Sequence, residues 1–129
     1  MKNFDAMTPR ILLVEDDATN ALLLRRQLET LGYSLERHVT TGEDAIQAVG
    51  LAEPDLIFMD IHLGSDLSGI ETVRTIRKSS QARIIFLTAH GTEQIRKAAM
   101  DLQPLLFLER PIPLATLRSA MDTFHRSFE

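Results

Sequence analysis

Five short apolar runs, each followed by a longer stretch with hydrophobic residues at helical spacing, constrain the fold of this chain more than any other feature. The clearest run is Leu56-Ile57-Phe58-Met59-Asp60, introduced by Pro54 and Asp55. It is long enough for one strand, too short for a helix, and closed by a carboxylate. Apolar residues in unbroken succession suit a strand covered on both faces, as in a parallel sheet. Arg10-Ile11-Leu12-Leu13-Val14 repeats the pattern and also ends on acids, Glu15, Asp16 and Asp17. Ser34 to Thr40 alternates like an edge strand. Arg83-Ile84-Ile85-Phe86-Leu87 ends on Thr88 and Ala89, and Leu105 to Leu108 precedes Glu109-Arg110-Pro111.

The intervening stretches carry helix signals. Asp17 or Thr19 can cap a helix with Ala21, Leu24, Leu28 and Leu31 on one face, and Gly32 ends it. Thr41 with Asp44, and Ser68 with Glu71, have capping-box spacing before the stripes Ala45, Ile46, Val49 and Ile70, Val73, Ile76. Thr92 opens a fourth helix through Ile95, Ala98, Ala99 and Leu102. Leu114, Leu117, Met121, Phe124 and Phe128 stripe the last, and core packing is the first reading of that stripe. A partly exposed association face at Phe124 and Phe128, near Arg96 and Arg118, is the alternative.

Strand and helix alternating five times imply right-handed crossovers and a parallel sheet between two helical layers. The expected fold is α/β, a single doubly wound (βα)5 domain over residues 10–129 with a five-stranded parallel sheet, and of the common strand orders 2-1-3-4-5 is the one in which the two acid-bearing strands meet. Residues 1–9 read as a short mobile lead-in. This order sets strands one and three side by side at the switch point, where ligands collect beyond the carboxyl ends of strands. Glu15, Asp16 and Asp60 then meet on one rim. Crowded carboxylates resist ionising together without a cation, and an oxygen-only, partly hydrated set favours Mg2+.

Composition narrows the function classes. The chain has 129 residues, 44% hydrophobic and 25% charged, which suits one globular domain with a proper core. A net charge of −4 and the lack of a basic patch argue against direct nucleic-acid binding. No run reaches membrane-spanning length and no secretory leader is visible. The absence of cysteine rules out a thiolate metal site and suits a cytoplasmic protein.

The constellation Ile11-Leu12-Leu13-Val14-Glu15-Asp16-Asp17, Pro54 to Asp60, Gly69-Ile70-Glu71, Leu87-Thr88-Ala89 and Arg110-Pro111 resembles the receiver domain of two-component response regulators, a flavodoxin-like fold. The match runs from about Arg10 to the last helix. The resemblance implies that Asp60 accepts a phosphoryl group from a phosphohistidine on a histidine kinase or phosphotransfer protein, without the chain being an enzyme beyond self-catalysed transfer and dephosphorylation. It implies Asp16 as the direct Mg2+ ligand, Glu15 acting through water, and the His62 carbonyl as a further metal ligand. It casts Thr88 as the switch hydroxyl, Phe107 as the aromatic that follows it, and Arg110 as the cation beside the phosphoryl group, before a cis peptide at Pro111. A homodimer through helix four, strand five and helix five is left open, and the downstream target is unknown.

Several residues depart from the pattern. Arg110 stands where the family has lysine, and its planar fork is not equivalent to a compact ammonium. Glu109 is a rival partner for its guanidinium. The loop after Asp60 is about one residue longer than the commonest form, and Gln103-Pro104-Leu105-Leu106 replaces a small Gly-Ala pair. His62 and His90, each two residues beyond Asp60 and Thr88, are candidates to orient or obstruct an attacking water. His38 and His125 read as surface residues. The alternative function is a phosphorylation-independent pseudo-receiver, an interaction or dimerisation module. A phosphatase on a similar sheet would want an acid where His62 stands, and a flavin binder would not place Glu15-Asp16-Asp17 in its phosphate loop.

Overall fold

The computed structural model describes residues 8–64 and 66–129. Most of the expected lead-in, residues 1–7, lies outside them, and within the described part of it Pro9 is buried. Strands β1 (Ile11–Val14), β2 (Arg37–Val39), β3 (Leu56–Asp60), β4 (Arg83–Thr88) and β5 (Leu106–Glu109) alternate with helices α1 (Ala18–Thr30), α2 (Gly42–Leu51), α3 (Gly69–Ile76), α4 (Glu93–Met100) and α5 (Leu114–Arg126). The sheet is parallel throughout, in the order β2-β1-β3-β4-β5.

The unbroken apolar runs resolve into two faces. Along β3, Ile57 and Met59 join Val14, Val49, Val73 and Phe86 in one cluster, while Leu56 and Phe58 join Leu13, Leu28, Leu87, Leu117 and Phe124 in the other. The interior strands β1, β3 and β4 therefore feed both cores by simple alternation, so a polar residue inside β1 or β3 would be buried wherever it fell.

Local chemistry fixes the helix ends. Asp17, not Thr19, caps α1 by accepting from the Asn20 N–H at 2.8 Å. Gly32 follows that helix at φ +92°, where a Cβ would be strained. Thr41 accepts from the Asp44 N–H, and Ser68 and Glu71 satisfy each other's backbone N–H groups in a full capping box.

Three expectations need adjusting. β2 covers Arg37–Val39 only, because an edge strand with one neighbour is held for as long as the β1 ladder lasts. β5 starts one residue later and ends one residue later than expected, at Leu106 and Glu109. The stripe on α5 is core, as first read: Phe124 is fully buried, and Phe128 packs edge-on against it at 5.2 Å beneath the Arg83 guanidinium. His125 is half-buried, not a surface residue, with Nε2 2.7 Å from the Tyr33 hydroxyl.

Candidate functional site

β1 and β3 pair directly, with Val14 opposite Met59, so the residues that follow each strand emerge side by side. Ligand oxygens of Glu15, Asp16 and Asp60 all lie within 4.8 Å of one another. Glu15 and Asp60 are buried, at 1% and 5% exposure, while Asp16 is exposed. Two carboxylates are thus withdrawn from water and the third faces it.

The surrounding donors are few. Asp60 Oδ1 accepts from the His62 N–H at 3.0 Å, and Asp16 Oδ2 accepts from the Gly64 N–H at 2.9 Å. A Cβ on Gly64 would stand 2.9 Å from that same Asp16 oxygen, so a side chain there would displace the Asp16 carboxylate. Glu15 Oε2 accepts from the Asp17 N–H at 3.1 Å, and its Oε1 from Arg110 Nη2. Arg110 Nη1 also lies 3.6 Å from Asp60 Oδ1. One guanidinium therefore spans two of the three acids. Glu109, the expected rival, is exposed at the end of β5 and takes no part in the pairing.

Burial pushes the Glu15 carboxyl up to about 8, with a hydrogen bond to Asp60 and the Asp60 charge adding to the rise. The Asp17 N–H and the Arg110 charge pull the other way without overcoming it. The rim is over-supplied with negative groups, which disfavours ionising all three acids at once. The donor set is all carboxylate oxygen with one open side, which fits a small hard cation that keeps part of its water. Among the described residues this is the one His, Cys, Asp or Glu group of that kind, and it includes neither His62 nor His90.

Thr88 ends β4 and is fully buried; its Oγ1 accepts from the His90 N–H at 3.1 Å. Its strand neighbour Leu87 pairs with Asp60, so the hydroxyl belongs to the same rim. Phe107, on β5, is half-buried with the Arg96 guanidinium 5.1 Å from its ring centre. His62 and His90 are exposed. The Arg110–Pro111 peptide is cis, as the resemblance implied.

Sequence reasoning missed His38. It is half-buried and its Nε2 lies 2.8 Å from the backbone oxygen of Glu15, bracing the turn that presents the acids. Its signal was its place on the strand beside β1, yet side-chain reach to a backbone atom depends on a register that composition does not reveal.

A five-stranded parallel sheet whose central strand tips gather three acids and a buried hydroxyl beside a basic residue is the arrangement that the resemblance to a receiver domain implied. The chain belongs to that family: the response regulator receiver domain matches residues 11–122. It is 38% identical over 116 residues to the regulatory protein LuxO of Vibrio cholerae, covering 85% of this chain and 24% of LuxO. It is 31% identical to the sensor protein EvgS of Escherichia coli, covering 90% of this chain and 10% of EvgS. The signal receiver domain of a LuxO repressor protein from Vibrio parahaemolyticus superposes with a TM-score of 0.84 at 31% identity, covering 94% of this chain and 92% of that one. The chain thus spans a quarter or less of these two full-length relatives. No described helix is long and apolar enough to cross a membrane.

Proposed function

We propose that residues 10–129 act as a phosphoacceptor receiver unit in the cytoplasm, taking a phosphoryl group onto Asp60 from a phosphohistidine of a histidine kinase or phosphotransfer protein. The observation that carries this reading is the convergence of Glu15, Asp16 and Asp60 within 4.8 Å. A carboxylate oxygen of Asp60 attacks phosphorus, the P–N bond of the donor breaks, and the donor imidazole leaves with the electron pair. A carboxylate nucleophile needs no base to remove a proton. Its obstacle is repulsion with the incoming phosphate, and phosphoryl transfer leaves the protein mainly the work of positioning and neutralising. Mg2+, held by Glu15, Asp16, Asp60 and the His62 carbonyl, would supply that neutralising charge. Arg110 adds a second positive group already beside Asp60 Oδ1. The product carries acceptor oxygens to the rim, where the Thr88 hydroxyl can leave the His90 N–H and donate to them. That exchange biases the packing of the β4–α4 loop and Phe107, and so the surface offered to a protein target.

A second reading rests on one observation: Arg110 already bridges Glu15 and Asp60, an internal counter-ion that a phosphorylation-independent interaction module would keep in place. Incubation with a small phosphodonor and Mg2+, read by intact mass, separates the two. A gain of one phosphoryl mass that disappears in Asp60→Asn supports the acceptor. An unmodified mass, together with unchanged amide shifts on adding beryllofluoride and Mg2+, supports the module.

A further inference from the structure

The amino end of the sheet, opposite the acidic rim, holds a polar cavity of about 400 Å³ lined by Arg77, Gln81, Arg83, Asp101, Leu102 and Gln103. Its two arginines are half-buried, and both are held by neutral oxygens only. Arg77 donates from Nη1 to the Ala82 carbonyl at 2.6 Å, and more loosely from Nε to Leu102 O at 3.4 Å and from Nη2 to Gln103 O at 3.5 Å. Arg83 donates from Nε to Ser127 Oγ at 3.0 Å and from Nη2 to Ser127 O at 2.7 Å, with its guanidinium carbon 3.6 Å over the Phe128 ring. Among the described residues, no carboxylate oxygen stands within 4.0 Å of either guanidinium. Asp101 lines the cavity but lies beyond that reach.

Two tethered cations therefore line one cavity, and among the described residues no carboxylate is in direct contact with either. Burial, and then the charge of Arg83, lower the affinity of Arg77 for its own proton. A guanidinium offers five N–H donors, and the bonds above use three on Arg77 and two on Arg83, so both retain donors. Gln103 is held at φ +54° without being glycine, which keeps its carbonyl among the acceptors of Arg77. The arginines are thus anchored by backbone carbonyls and the Ser127 hydroxyl, all of them neutral oxygens.

We propose that this cavity binds a small phosphomonoester, with Arg77 and Arg83 sharing its phosphate oxygens and Asp101 and Gln81 accepting from its hydroxyl groups. Two guanidiniums from different elements match a tetrahedral dianion better than a planar carboxylate, which one fork already satisfies. The volume falls in the range of small-ligand sites. The site lies at the opposite end of the strands from Asp60 and owes nothing to chemistry there.

The test is an NMR titration of the whole chain with inorganic phosphate in EDTA, at about pH 8 where the dianion dominates, with chloride holding ionic strength constant. Saturable shifts are expected at the Arg77 and Arg83 Nε–H groups and the Leu102 and Gln103 amides, with the His62 and Thr88 amides unmoved. Binding should weaken by about tenfold in Arg83→Gln and in Gln81→Glu, the cost of one charge-assisted contact. Gln81→Glu sets a carboxylate on the exposed rim without removing any contact described above, so it decides the matter if Arg83→Gln fails to fold. Shifts that never saturate, shifts confined to His62 and Thr88, or equal affinity in a folded Gln81→Glu variant would overturn the proposal.

Discussion

Asp55 and Asp60 bracket the same buried strand and are almost equally withdrawn from water, at 6% and 5% exposure. Their surroundings differ in kind. Asp55 Oδ2 accepts from the Arg10 N–H at 2.8 Å, its own N–H donates to the Arg10 carbonyl at 2.8 Å, and its carbonyl accepts from the Arg83 N–H at 3.2 Å. It staples the approaches to β1, β3 and β4 together. Asp60 accepts from one backbone N–H and shares its space with two further carboxyls and a cation. Burial alone therefore says nothing about function. What separates the two is the balance of donors to negative charge: settled around Asp55 and in deficit around Asp60.

The largest effect should come from exchanging the pair's roles one at a time. Asp60→Asn should lower phosphorylation by a small phosphodonor by at least about a thousandfold, as expected when a covalent nucleophile is removed. Asp55→Asn should leave the rate within a few-fold of the native chain. Phosphate appearing on Asp60→Asn, or Asp55→Asn being equally inert, would break the distinction.

Stability should invert the order. Asp55→Ala leaves the Arg10 N–H without its partner and should cost about 1–3 kcal/mol in denaturant unfolding. Asp60→Asn should instead leave stability unchanged or raise it, since it removes one of three crowded acids. An Asp60→Asn variant that unfolds more readily than Asp55→Ala would mean that the rim is a structural device.

How far this contrast could be read from sequence depends on which contacts are local. The strands were legible because burial on both faces demands unbroken apolar runs, and the acids were legible because they end two such runs. The capping residues Asp17 and Ser68 were legible for the same reason: their partners are three residues away. The partner of Arg110 was not, because Glu15 lies 95 residues earlier and Glu109 stands next to it in the chain. His38 was missed because its hydrogen bond depends on strand register. The cavity at the amino end was invisible too, since Arg77 and Arg83 are tethered by oxygens up to 44 residues away.

A smaller test bears on the amino end. Gln103 occupies the left-handed region at φ +54°, so Gln103→Gly should stabilise the chain by about 0.5–1 kcal/mol by removing Cβ strain. No change in the unfolding midpoint would mean that the side chain returns in contacts what the backbone loses.

The smallest effect should come from the ion pair that looks best on paper. Arg10 grips Glu36 through two bonds of 2.8 Å, yet both side chains are more than two-fifths exposed, so water and salt screen most of the attraction. Its pH dependence can still be signed. The Arg10 hydrogen bond holds the Glu36 carboxyl below its ordinary value of 4.5, so its contribution is present above that pH and fades as pH falls through the lowered value. Glu36→Gln should therefore shift the unfolding midpoint slightly at neutral pH and low salt, and the difference from the native chain should shrink in acid and at about 1 M salt. A difference that persists undiminished in acid and salt would assign the contribution to packing of the side-chain stems. In either case it should stay below that of Asp55→Ala, because one buried acceptor with a backbone donor outweighs a well-formed pair left in water.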